Sequence, residues 1–174
     1  PVSIDVTFVP AGGGFTDLAP GAWYTDAVNY VVANGLMEGV SDNAFEPDAG
    51  MTRAMLWTIL AHIDGEAVTG ADWAETARAW AMESGVSDGA DAGGSLTREQ
   101  LAAMLYRFAG KPETAANLDD FTDAASVSDW AARAMAWAVG EGIITGVTDT
   151  ALDPQGSATR AQCAAMLMRF VESA

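Results

Sequence analysis

The sequence predicts an all-α protein made of three helix–loop–helix copies, and three observations carry that prediction. A Thr-Arg pair recurs at Thr52-Arg53, Thr97-Arg98 and Thr159-Arg160. A tryptophan stands ahead of each pair, at Trp23, Trp73 and Trp130. Two glycines follow each tryptophan, twelve and sixteen residues on: Gly35 and Gly39, Gly85 and Gly89, Gly142 and Gly146.

Residues 1–14 come first and lie outside the repeat. Val2, Ile4, Val6 and Phe8 alternate with polar residues and run into Ala-Gly-Gly-Gly. That pattern predicts a short extended segment and a hinge, the tail of a preceding domain.

The first helix of each copy is read from the tryptophan. Positions four, seven and eight residues on are Ala27, Tyr30 and Val31, then Ala77, Trp80 and Ala81, then Ala134, Trp137 and Ala138. Those offsets define one helical face. The first glycine suits the left-handed residue that closes a helix, so each helix should run about 12 residues, roughly 18 Å. Asp72 with Glu75 reads as a capping pair, and Ser128 as an N-cap.

A loop follows. In copies one and three it carries an apolar plug before an acid and a proline, Phe45-Glu46-Pro47 and Leu152-Asp153-Pro154. The middle loop is five residues shorter and lacks that element. The second helix then opens on Thr52, Thr97 or Thr159 as N-cap. Gln100 and Gln162 complete capping boxes where Met55 cannot. Its apolar face runs through Leu56, Ile59, Leu60 and Ile63, then Leu101, Leu105 and Phe108, then Cys163, Met166, Leu167 and Phe170. The copies span 15–64, 65–110 (shortened) and 111–174. No copy can bury its face alone, so they should pack together.

Composition narrows the function. Eight basic against 24 acidic residues leave a formal charge of −16, which repels nucleic acid. No apolar run is long enough to span a membrane. The single Cys163 excludes an intrachain disulfide and reads as core. The chain opens on Pro1 rather than Met, which reads as a processed or excised piece.

Against that acidity, Arg53, Arg98 and Arg160 repeat a cation in the first turn of a helix, where the macrodipole disfavours it. One reason would be a ligand carboxylate held between the guanidinium and the free helix N–H groups. The alternative is pairing with an acid of a neighbouring copy. Trp23, Trp73 and Trp130 read first as core or groove wall and second as sugar-stacking platforms. Gly39, Gly89 and Gly146 read as turn glycines that also let a ligand approach the backbone. The Asp-rich loops lack the acid spacing of a calcium loop, and neither a metal nor a cofactor is expected. The shortened loop, assigned to Arg98, predicts that Arg98 contributes least to binding.

Phe15-Thr-Asp17, Trp23, Gly35, Gly39-Val-Ser-Asp-Asn-Ala-Phe45-Glu-Pro47 and Thr52-Arg53-Ala54 together resemble an S-layer homology repeat. So do Phe121-Thr-Asp123, Trp130, Gly142-Ile-Ile-Thr-Gly146, Asp149, Leu152-Asp-Pro154 and Thr159-Arg-Ala-Gln162. The middle copy keeps Trp73, Gly85, Gly89 and Thr97-Arg-Glu-Gln100 without the Phe-x-Asp opening.

The resemblance implies a pseudo-threefold helical spindle with grooves between repeats. It also implies a non-catalytic, extracellular anchor that binds a secondary polysaccharide of the bacterial cell wall, of the type bearing a pyruvate ketal on N-acetylmannosamine. Arg53, Arg98 and Arg160 occupy the family's ligand-contacting position. The glutamate usual in that motif is Met55, Gln100 or Gln162 here. A structural or protein-interaction module that kept the fold without the glycan is the alternative.

Overall fold

A computed structural model describes residues 14–173; the extended segment expected over residues 1–14 falls almost wholly outside them. The described residues form six α-helices: α1 Thr25–Ala33, α2 Arg53–Ile63, α3 Trp73–Glu83, α4 Arg98–Phe108, α5 Ala132–Gly140 and α6 Arg160–Ser173. A short 3₁₀ turn, Ala124–Ser126, precedes α5. β-Pairing among them is confined to isolated bridges, so the fold is all-α.

The chain forms two compact units. One joins the segment up to Gly50 with the segment from Thr159 onward; the other is Met51–Ala158. In the first, α1 packs against α6. In the second, α2 packs against α3 and α4 against α5. Within the second unit, the second helix of one helix–loop–helix segment therefore packs on the first helix of the next.

The first helices are shorter than expected. α1 and α5 have nine residues and begin two residues past Trp23 and Trp130, because single turns feed into them. Thr25 N–H bonds to Ala22 O, and Ala131 N–H to Ser128 O. The expected caps also differ. The Asp72 side chain makes no capping bond, and the Ser128 hydroxyl donates to Glu99 (2.8 Å), whose carboxylate also accepts the Ser128 N–H (2.9 Å). Gly35, Gly85 and Gly142 do close the helices, with φ of 64°, 74° and 70°, a conformation that costs glycine little.

The second helices start as the sequence indicates. Thr97 and Gln100 form a reciprocal capping box, as do Thr159 and Gln162. Thr52 accepts from the Met55 N–H with nothing returned. Burial runs further round these helices than one face. In α2, Leu56, Trp57, Leu60 and Ala61 are fully buried, whereas Ile63, expected on the core face, is half-buried. Cys163 is buried in α6.

Each loop ends in the same turn. Glu46, Asp91 and Asp153 take left-handed φ of 56°, 50° and 49°, and their carbonyls accept the N–H three residues on, from Ala49, Gly94 and Gly156. The middle loop keeps this turn. Its missing residues come from the stretch before Ala90, which stands where the other loops place Phe45 and Leu152. In the Met51–Ala158 unit the residues ahead of the threonine caps close a ring of three backbone bonds. Met51 N–H donates to Ala158 O, Ala158 N–H to Leu96 O, and Leu96 N–H to Met51 O, at 3.1, 2.8 and 2.8 Å.

Candidate functional site

The arginine following each cap reaches into the loop of another copy, which for Arg160 is the first. Its Nε donates to the carbonyl at the plug position: Arg53 to Ala90 O (2.8 Å), Arg98 to Leu152 O (2.7 Å) and Arg160 to Phe45 O (2.7 Å). The same helix starts take their backbone partners from the same loops. Arg53 and Ala54 N–H bond to Gly94 O and Ala92 O, Arg98 and Glu99 N–H to Gly156 O and Pro154 O, and Arg160 and Ala161 N–H to Ala49 O and Pro47 O. The next N–H goes to the threonine Oγ1 in each helix. These N–H groups are therefore not free for a ligand. The expectation that an anion sits between guanidinium and free helix N–H groups is corrected on that ground. The repeated arginine has another reason to exist, since it ties one copy to the loop of another.

A carboxylate grips the other side of the plug residue. Asp17 accepts the N–H of Phe45 (3.0 Å) and of Glu46 (2.7 Å). Asp123 accepts those of Leu152 (2.9 Å) and Asp153 (2.8 Å). The Phe45 N–H, followed by that of Glu46, holds the Asp17 carboxyl below the usual range. The Leu152 N–H does the same for Asp123, against an opposing burial effect. The middle copy has no such upstream aspartate. There Asp88, from the loop itself, accepts the Ala90 N–H at 2.9 Å and is likewise lowered, chiefly by that bond.

The three arginines differ in what surrounds them. Arg160 is 9% exposed, with Nη2 on Glu38 O (2.6 Å) and its guanidinium 4.6 Å from the centre of the Phe45 ring. Burial pushes its pKa down. Arg98 is 3% exposed. Arg53 instead lines a cleft of about 510 Å³, together with Ser87, Asp88, Gln100, Arg107 and Trp130. Its Nη2 donates to Ser87 Oγ (3.1 Å) and pairs with Asp88 Oδ1 (3.0 Å). Arg107 places Nη1 on Val86 O (3.0 Å). Two guanidinium groups and an indole lining one cleft can hold an anionic group beside a sugar ring.

The structure thus brings Arg53 and Trp130 together among the expected site residues. The tryptophans are not core: Trp23 is 65% exposed, Trp73 36% and Trp130 55%. Trp137, seven residues past Trp130, is buried, whereas Tyr30 and Trp80 at the same offset are half-buried. Gly39 and Gly146 lie under the Phe15 and Phe121 rings, where a Cβ would collide with ring and loop carbonyls. Gly89 packs against Met82; Gly85 is the glycine in the cleft wall. The shortened loop faces Arg53 rather than Arg98, which removes the basis for ranking Arg98 lowest. Arg107, Ser87 and Asp88 were not foreseen. A signal for Arg107 existed, since a basic residue recurs nine positions past each motif arginine, as His62, Arg107 and Arg169. His62 is taken up locally, with Nε2 against the Val68 backbone.

The profile of the S-layer homology domain matches residues 14–54 and 120–164, the segments that carry both aspartate clasps. An amylopullulanase of Thermoanaerobacterium thermosulfurigenes is 29% identical over 168 residues, 86% of this chain and 9% of the relative. The exoglucanase XynX of Acetivibrio thermocellus is also 29% identical over 168 residues, 86% of this chain and 16% of the relative. The surface-layer 125 kDa protein of Lysinibacillus sphaericus is 32% identical over 112 residues, 53% of this chain and 10% of the relative. The chain thus spans less than a fifth of each of these proteins. It belongs to the S-layer homology family, as a cell-wall anchoring module of the cell surface.

Proposed function

We propose that this chain is a non-catalytic anchor that binds an anionic secondary cell-wall polysaccharide, of the pyruvylated N-acetylmannosamine type, through the cleft lined by Arg53, Arg107 and Trp130. In this reading the shortened middle segment (65–110) is a third repeat, and the chain fixes a larger exported protein to the wall. The observation that carries it is the pairing of two guanidinium groups with an exposed indole in one cleft. A pyruvate ketal offers a carboxylate to the first and a sugar face to the second. Trp23 and Trp73, also exposed, are proposed as platforms at equivalent positions. Gly39, Gly89 and Gly146 are proposed to shape the loops beside them.

Binding to isolated wall sacculi, before and after chemical removal of the secondary polymer, tests this. The native chain should bind only the intact walls. Arg53→Ala should weaken that binding by about 1.5–3 kcal/mol, the scale of a lost charged hydrogen bond. Equal binding to stripped walls would overturn the reading. The burial of Arg98 and Arg160 favours a structural role for those two, in keeping with the alternative of a scaffold that uses the fold for packing alone.

A further inference from the structure

We infer that Asp88 is a built-in competitor for the ligand's carboxylate, and that it lowers the affinity of the Arg53 cleft; this rests on the reading above. The middle copy lacks the Phe-x-Asp aspartate, and Asp88 supplies the missing clasp on the plug residue. Asp88 Oδ1 accepts the Ala90 N–H while Arg53 Nε donates to the Ala90 carbonyl, at 2.9 and 2.8 Å. Asp17 and Asp123 grip their plug residues from a distant part of the sequence. Asp88 does so from two residues away, and this brings the same Oδ1 within 3.0 Å of Arg53 Nη2.

The contrast with the other copies is specific. One residue before the second glycine stand Glu38, Asp88 and Thr145. Arg160 meets the main-chain carbonyl of Glu38, and position 145 carries no charge. At Arg53 an acid side chain meets the guanidinium. The Asp88 side chain is 75% exposed while that of Arg53 is 12% exposed. A largely exposed carboxylate is thus paired with a guanidinium side chain that is itself mostly shut off from solvent. A ligand carboxylate that seeks Nη2 must displace Asp88 or bind close to it, and like charges at such range oppose each other. Among the described residues Arg107 forms no ion pair and spends Nη1 on the Val86 carbonyl, so the cleft admits anions weakly rather than excluding them.

Asp88→Asn removes the charge and keeps an Oδ1 that can accept the Ala90 N–H, so the turn should hold; near-native thermal unfolding of the variant checks this. The probe is a methyl glycoside of 4,6-pyruvylated N-acetylmannosamine, with the unpyruvylated glycoside as control, titrated by calorimetry and Trp fluorescence. The expected result is tighter binding of the pyruvylated sugar by Asp88→Asn, on the order of tenfold, with no change for the neutral sugar. In an Arg53→Ala background the Asp88→Asn gain should vanish. Unchanged or weaker binding by folded Asp88→Asn, with a native chain that does bind, overturns the inference alone. A gain that persists without Arg53 overturns it too, since the competition would then lie elsewhere. A native chain and variant that both ignore the pyruvylated sugar overturn the glycan reading and the inference together.

Discussion

Asp17 and Asp123 each gather two consecutive backbone N–H groups, which makes the two long loops acid-sensitive. Their folded pKa values lie below the ordinary carboxylate value. A carboxyl depressed in the folded state contributes stability that is fully present above its unfolded pKa, near 3.9. That contribution is lost as pH falls through the folded pKa, so its window lies below about pH 4. Asp123→Asn should cost about 1 kcal/mol at neutral pH, set low because the group is partly solvated. It should also flatten the acid limb of stability, read as urea midpoint against pH; an unchanged acid limb would contradict the assignment. The arginines make the converse case. Arg160 is nearly buried and bonded to two carbonyls, so Arg160→Ala removes both bonds and a packed guanidinium. We expect a loss of roughly 2–4 kcal/mol in urea unfolding, with a smaller loss for Arg53→Ala, whose main effect falls on binding.

At the scale of the element, the caps explain both what could be read in advance and what could not. A capping box is local, so Gln100 and Gln162 announce it four residues into a motif and the structure contains it. α2 lacks the return bond because Met55 has no acceptor, and Met55 is exposed. Met55→Glu should complete the box and place an acid at the helix N-terminus, with a gain of about 0.5–1 kcal/mol in thermal or urea unfolding. No gain would mean that the box does not form in α2. Asp72 does stand at the N-cap of α3 but makes no side-chain capping bond, whereas Ser128 is lost as a cap for a tertiary reason. The Ser128 hydroxyl and N–H are drawn to Glu99, which is 29 residues away in sequence. Self-comparison of the sequence likewise identifies equivalent positions without saying which of them touch. Arg53 lies 37 residues from the carbonyl it meets, and Arg160 lies 115 from its own. Thus the repeat, its helices and its glycine closures were legible, whereas the partner loop of each arginine was not. Asp88 was hidden for a related reason, because its clasp replaces a motif that the middle copy no longer contains.

At the scale of the whole molecule, charge is the dominant constraint on binding. The chain carries a formal −16, and the proposed polymer is itself anionic. In the proposed reading, attraction comes from short-range contacts at Arg53, Arg107 and Trp130, against a longer-range repulsion from the rest of the surface. Salt acts on these two terms unequally. The Debye length falls from about 30 Å at 0.01 M to about 8 Å at 0.15 M ionic strength, which screens the distant repulsion first. A guanidinium with a side chain 12% exposed is screened less than a surface charge. Binding to wall sacculi should therefore hold steady or rise as salt increases from about 0.01 to 0.15 M, with the gain mainly in the association rate. It should weaken only when high salt begins to compete for the guanidinium groups themselves. Sedimentation of sacculi across a salt series, with association followed on a wall-coated sensor, measures both quantities. A steep, continuous fall in affinity across the low range would instead be the signature of exposed cations meeting the polymer, and would move the binding surface away from the Arg53 cleft.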